Sequence, residues 1–246
     1  MKEFFNAIRP LFGGSLTQKQ VDGITFLLGA TSELPLTYRA YILSTVFWES
    51  AKTMQPIEEI GKGRDHAYGK PTGPWDNCYY GRGYVQLTWQ ANYAHATRRL
   101  RVLGIIDATT NLEKNPELAL RQDIALAILK YGMLEGWFTG RKLNPDTNYV
   151  QMRKIINGTD HADAIAAIAH KFETALNAEP LTTATATAAP AAPKIEATAP
   201  PPISAPVVPV EPQVAPQPKI SVFAERPAPV RAKWTFTGWI KSFFNL

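Results

Sequence analysis

The chain has 246 residues, 45% of them apolar, with a formal net charge of +5 and a pI near 9.2. Its single cysteine, Cys78, excludes an intramolecular disulfide, and the absence of any run of about 18 apolar residues excludes a membrane-spanning helix. The positive balance suits an anionic partner such as a wall polymer, a membrane surface or nucleic acid. The Lys and Arg residues are scattered and form no nucleic-acid-binding motif, so nucleic acid is not expected.

Composition divides the chain. Residues 1–178 have the mixture of a globular domain, of ordinary domain size. Residues 179–230 hold most of the 20 prolines, among Ala, Thr and Val, and read as a disordered linker. Residues 231–246 form a short aromatic tail. The start, Met1-Lys2-Glu3-Phe4-Phe5-Asn6, lacks the apolar core of a secretory signal.

In chain order, residues 11–14 read as a turn. Thr17 with Gln20 fits a capping box, and Val21, Ile24, Phe26, Leu27 and Leu28 follow as an apolar helical stripe that Gly29 stops. A second helix begins near Pro35 and carries Tyr38, Tyr41, Ile42, Thr45, Val46 and Trp48 at helical spacing, with Glu49 near its C-terminal end. Pro56 is expected to stop this helix, because it forces Gln55 into an extended conformation. An unbroken helix would put Glu59 about 15 Å beyond Glu49, at ~1.5 Å per residue. A break lets the carboxylates of Glu58 and Glu59 turn back toward Glu49.

Residues 61–77 read as a loop and residues 79–88 as a short strand or extended wall, whose glycines permit close backbone approach. Helices are predicted over 89–103, from Asn115-Pro116 onward with Asp123 or a neighbour capping 124–134, over 149–156 and over 162–176. Breaks fall at 136–140 and 157–160. The domain is therefore mainly α. In the tail, Phe236, Trp239, Ile240, Phe243, Phe244 and Leu246 share one helical face, with Arg231 and Lys233 at its start. Such a helix suits membrane or outer-envelope contact; docking on the domain or a partner is the alternative.

An acid at the end of an apolar helix, followed by carboxylates in a polar segment, is the pairing that acid/base cleavage of a glycosidic bond requires. Phe47 and Trp48 supply an apolar setting, which favours a protonated carboxyl and so assigns Glu49 the general acid. The Gly- and Lys-rich surroundings of Glu58 and Glu59 favour a charged base. His66 with Asp65, and His95, match no zinc spacing. Neither a metal nor a cofactor is expected. Trp137 and Phe138 read equally as sugar-stacking residues or as core, and Tyr79 and Tyr80 as wall or substrate contacts.

Trp48-Glu49-Ser50, Met54-Gln55-Pro56-Ile57-Glu58-Glu59, Tyr79-Tyr80-Gly81-Arg82-Gly83-Tyr84-Val85-Gln86-Leu87-Thr88-Trp89 and Ile155-Ile156-Asn157-Gly158 together resemble glycoside hydrolase family 19. The resemblance is closer to the phage and prophage endolysin branch of that chitinase-like family and covers about residues 4–176. It implies a lysozyme-like, two-lobed helical domain with a central cleft, and an inverting mechanism. It also implies Glu49 as acid, Glu59 as base with Glu58 as fallback, and Thr88 as the hydroxyl that holds the attacking water. Gln86, Asn92 and Asn157 fall at positions that bind sugar hydroxyl and acetamido groups, and Arg82 at one that supports the carboxylates; Arg82, Tyr79 and Tyr80 complete the expected substrate-binding set.

The sequence departs from the family where Trp48 replaces a histidine and Ala91 an aromatic residue. The short segment between the carboxylates and the lack of disulfides favour a bacterial-wall substrate over crystalline chitin. The resemblance implies a monomeric endolysin acting on peptidoglycan glycan strands, folded in the host cytoplasm and reaching the wall after release through a pore-forming partner. A lytic transglycosylase using Glu49 alone, a chitinase, and a non-enzymatic membrane-active or wall-binding lysis protein remain the alternatives.

Overall fold

The computed structural model describes residues 1–178, and the predicted linker and tail, 179–230 and 231–246, lie outside the described residues. The described part is mainly helical, as expected. Its helices are α1 (Lys2–Ile8), α2 (Gln18–Ala30), α3 (Leu36–Glu49), α4 (Gln90–Val102), α5 (Gln122–Glu135), α6 (Tyr149–Ile156) and α7 (Ala162–Ala178). Two short strands, β1 (Ile57–Glu58) and β2 (Arg82–Gly83), pair antiparallel with Ile57 opposite Gly83 and Glu58 opposite Arg82.

The main packing falls into two groups. In the first, α7 packs against α3, α1 and α6. Its buried face, Ile165, Ala166, Ile168, Ala169, Phe172 and Ala175, follows helical spacing, and its alanines let neighbouring helices approach closely. Helix α3 is buried from Ala40 to Trp48 and is apolar almost all round, as a central helix should be. Phe47 meets Phe12 and Phe172 edge-on, with ring centroids 5.1 and 6.2 Å away. In the second group, β2 and α5 pack against the short 3-10 helix Pro116–Leu120, with α4 against α5. The first group carries Glu49; the second carries Glu58 and Glu59 through the β1–β2 pair.

Local sequence accounts for most boundaries. Thr17 and Gln20 form the expected capping box. Asn148 caps α6 by accepting the Gln151 N–H at 2.9 Å. Gly136, at φ 81°, ends α5 in the left-handed conformation. Helix α1 has no counterpart in the sequence reading; Phe4 and Ile8, one turn apart, bury it against α7.

Three expectations need correction. Pro56 does not end α3. The helix stops at Glu49, and the chain leaves through Ala51 and Lys52 at φ 49° and 66°, with the Lys52 N–H bonded to the Phe47 carbonyl at 2.8 Å. A left-handed exit without glycine gives no sequence signal. Second, residues 79–88 are not one extended segment. Only Arg82 and Gly83 join a ladder, and the chain reverses so that Arg82 and Leu87 exchange backbone hydrogen bonds. Third, Asp123 does not cap α5; Arg121 is the N-cap residue and contributes no side-chain cap.

Candidate active site

Glu49 is the last residue of α3. Its Oε1 accepts a 2.7 Å hydrogen bond from Arg153 Nη1 on α6, and the two side chains are 13% and 5% exposed. Arg153 Nε also donates to the Asp160 carbonyl at 3.0 Å, which fixes the guanidinium between the end of α3 and the loop after α6. The apolar pocket expected from Phe47 and Trp48 is thus incomplete. Successive helical residues point about 100° apart. Phe47 faces the aromatic core, Trp48 faces His161 with ring centroids 5.0 Å apart, and Glu49 faces an arginine.

Glu59 is held differently. Its Oε1 accepts the Tyr68 hydroxyl at 3.0 Å and its Oε2 the Gly81 N–H at 2.9 Å, while its own N–H bonds to the Gly81 carbonyl at 2.7 Å. Burial, then the negative charge of Glu59, pushes the Tyr68 hydroxyl above its usual range, so Tyr68 stays a donor. Gly81 sits in close approach: a Cβ there would lie 2.8 Å from Gln86 Oε1 and 3.3 Å from Glu59 Cβ.

Glu58 is more heavily engaged. Tyr80 donates to its Oε1 at 2.7 Å, Lys62 pairs with its Oε2 at 3.0 Å, and Arg82 Nε lies 3.8 Å from Oε1. The Tyr80 hydrogen bond holds this carboxyl below the usual glutamate range, with help from Lys62 and against the opposing effect of partial burial.

The predicted binding residues separate by accessibility. Arg82 is buried, stacks 3.6 Å from the Tyr80 ring centre, and donates to the Cys78 carbonyl and the Tyr93 hydroxyl, both at 3.1 Å. It buttresses the Glu58 side of the site from inside. Tyr79 is fully buried, its hydroxyl bonded to the Glu113 carbonyl at 3.0 Å, and its ring belongs to the core. Tyr80 is spent on Glu58. Gln86, also buried, donates to the carbonyls of Ile57 and Gly83 at 3.1 Å each and so ties β1 to the reversal. Thr88 is buried at the end of that segment, and its carbonyl accepts the Asn92 side-chain amide at 2.8 Å. Asn157 caps α6, with its Oδ1 accepting the Gly158 N–H at 2.8 Å. Trp137 donates its indole N–H to Glu135 at 2.8 Å, and Phe138 packs against Gly132.

Three residues with no role in the sequence reading belong to this description. Arg153 breaks the otherwise apolar helical spacing of Tyr149, Met152 and Ile156, a signal that a reading of α6 at helical period can detect. Tyr68 lies in the glycine-rich loop, where nothing in the sequence marks it. Trp89 is 43% exposed with its ring edge-on to Tyr68 at 5.3 Å, and so presents an indole beside the Glu59 partner.

Backbone strain gathers here. Ala51, Lys52 and Met54 between the two carboxylates, Gln86 and Trp89 in the wall segment, and His161 against Trp48 all have φ between 49° and 70°. Such conformations cost of order 1–3 kcal/mol each outside glycine and cluster at functional sites. Among the described residues, no group of three or more His, Cys, Asp and Glu side chains converges as metal ligands.

Among solved structures, the chain is similar to chitinase C from Streptomyces griseus, at 21% identity over 72% of this chain and 75% of that chain, with a TM-score of 0.48. It is similar to a mutant of chitinase C at 21% identity over 72% and 91% of the two chains, with a TM-score of 0.46. A bacterial family 19 chitinase gives 21% identity over 73% and 95%, with a TM-score of 0.44. No protein-family model and no curated protein matches the sequence.

Proposed function

We propose that the domain hydrolyses β-1,4 glycosidic bonds of bacterial peptidoglycan by an inverting acid/base mechanism and acts as an endolysin. The carrying observation is the unequal housing of two carboxylates on different packing groups. Glu49 is nearly buried against Arg153, and Glu59 is held by one neutral hydroxyl and one backbone N–H. Glu49 is assigned the role of the acid that delivers a proton to the leaving glycosidic oxygen. Glu59 takes a proton from water as that water attacks the anomeric carbon from the opposite face. Thr88 is assigned to that water. Glu59 is favoured over Glu58, because two nearby cations and a hydroxyl make Glu58 the weaker base.

Peptidoglycan is favoured over chitin by the basic charge and the short segment between the carboxylates, together with the endolysin-like motifs. In this reading the protein reaches the wall from the cytoplasm of the lysed cell, and residues 231–246 contact the membrane or outer envelope. The test is mass spectrometry of fragments released from isolated sacculi by the wild type and by Glu49→Gln. Reducing-end products from the wild type and none from the variant are expected. Anhydro products would replace the hydrolase with a transglycosylase, and equal release by both proteins would remove the enzymatic reading.

A further inference from the structure

A second concave site lies between α6 and the loop that precedes it. Arg141, Lys142 and Thr147 from the loop and Gln151, Lys154 and Ile155 from α6 line an open cavity of about 230 Å³. The loop is fixed rather than loosely apposed. The Thr139 hydroxyl donates to the carbonyls of Lys154 at 2.6 Å and Ile155 at 3.1 Å, and accepts the Arg141 N–H at 3.4 Å. The Leu143 N–H bonds to the Met133 carbonyl at 2.9 Å, which anchors the other side. Three cations therefore converge on one cavity that has no carboxylate in its lining. Among the described residues none of the three has an ion-pair partner, whereas Arg99, Arg121, Lys130 and Lys62 all do.

Like charges held together repel one another, and a structure keeps them so at a cost that an anion removes. We propose that this cavity binds the carboxylates of the peptidoglycan stem peptide and so selects peptide-bearing wall over neutral glycan. The proposal rests on the peptidoglycan reading and deepens it. A glycan of acetylated amino sugars alone is uncharged, whereas the stem peptide adds several carboxylates beside the sugar chain. Arg141 offers a planar fork to a carboxylate, Lys142 and Lys154 supply point charges, and Thr147 and Gln151 supply neutral hydrogen bonds. The same helix carries Arg153, the partner of Glu49.

Calorimetric titration of the full-length chain carrying Glu49→Gln, which leaves the probe intact, tests the proposal. The probe is a soluble disaccharide tetrapeptide, compared with the same molecule after amidation of its carboxyls. Partly exposed ion pairs contribute modestly one by one, so three together should favour the acidic probe by about ten-fold at low salt. This preference should shrink toward unity as salt rises. Adding Arg141→Gln, Lys142→Gln and Lys154→Gln should abolish the preference. Lys142→Gln alone, at an exposed position, should reduce it without affecting folding. Equal affinity for the two probes, or an undiminished preference in the triple variant, overturns the assignment. Equally tight binding of a short DNA duplex makes the cavity a general polyanion surface and overturns it too. If wild-type protein releases nothing from sacculi while the charge preference persists, the hydrolase reading fails and the binding site stands.

Discussion

Arg153 reaches from α6 to the last residue of α3 and places its guanidinium 2.7 Å from the Glu49 carboxylate, with both side chains almost out of solvent. Taking away one member of such a pair leaves the other charged and unpartnered, at a cost of about 3 kcal/mol or more. Arg153→Met should therefore lower the denaturant midpoint markedly. Glu49→Gln keeps an acceptor for the guanidinium and should cost roughly 1 kcal/mol, while abolishing turnover. The double replacement Glu49→Leu with Arg153→Met should recover much of the stability lost in Arg153→Met. Chemical denaturation of the three variants checks this, and an unchanged midpoint for Arg153→Met would show the pair to be energetically idle.

The adjacent glutamates Glu58 and Glu59 should separate cleanly in kinetics. A general base contributes roughly 10²- to 10⁴-fold to a rate. Glu59→Gln should lower kcat on isolated peptidoglycan within that range. Glu58→Gln should retain most activity, because its carboxylate is engaged by Tyr80 and Lys62 and braced by Arg82. Its effect should appear instead as reduced stability of the β1–β2 pair. Loss of activity on Glu58→Gln alone would reassign the base.

Gly81 offers a probe of positioning without any change of charge. Its φ is not left-handed, so alanine is tolerated by the backbone, but the added methyl meets Gln86 and the Glu59 side chain. Displacement of a catalytic group by about 1 Å can cost on the order of 10²-fold. Gly81→Ala should thus reduce kcat by roughly ten- to a hundred-fold while the melting temperature falls little. Gly23→Ala should do the reverse, since its methyl would lie 2.1 Å from the Met54 carbonyl oxygen in α2's contact with the strained exit from α3. An effect on melting alone in both variants would dissociate Gly81 from the chemistry.

Much of this was legible in the sequence because it is written in short-range chemistry. The Thr17–Gln20 box, the periodicity of α3 and α7, and the span of α6 each depend on a few neighbouring side chains. The turn that separates Glu49 from Glu59 was legible only in outcome. A proline predicts a break in the helix, yet the backbone leaves it earlier, at Ala51 and Lys52, where packing holds ordinary residues in a conformation they disfavour. Arg153 and Tyr68 act across 104 and 9 residues respectively. Local pattern carries no record of such a pairing. Tyr79 shows the opposite difficulty: an aromatic residue in a functional-looking motif can be wholly core.

His95 gives the domain a measurable pH dependence of stability. Its Nε2 is buried without a hydrogen-bond partner, and its ring meets Trp137 edge-on at 5.4 Å. Burial, then the positive charges of Arg98 and Arg99, depresses its pKa below 6.5, with Glu135 opposing from α5. A depressed pKa means that the unfolded chain binds the proton more readily. The associated stability is therefore fully present above pH 6.5 and is lost as pH falls below that value toward the folded-state pKa. Thermal melts of residues 1–178 within the full chain, taken from pH 8 down to about pH 5, should show a decline that His95→Gln flattens, because most carboxylates titrate lower, near about pH 4. Glutamine cannot titrate, yet is polar and of similar length. Parallel declines in the two proteins would place the acid sensitivity elsewhere, and an increase in wild-type stability on acidification would reverse the sign assigned to His95.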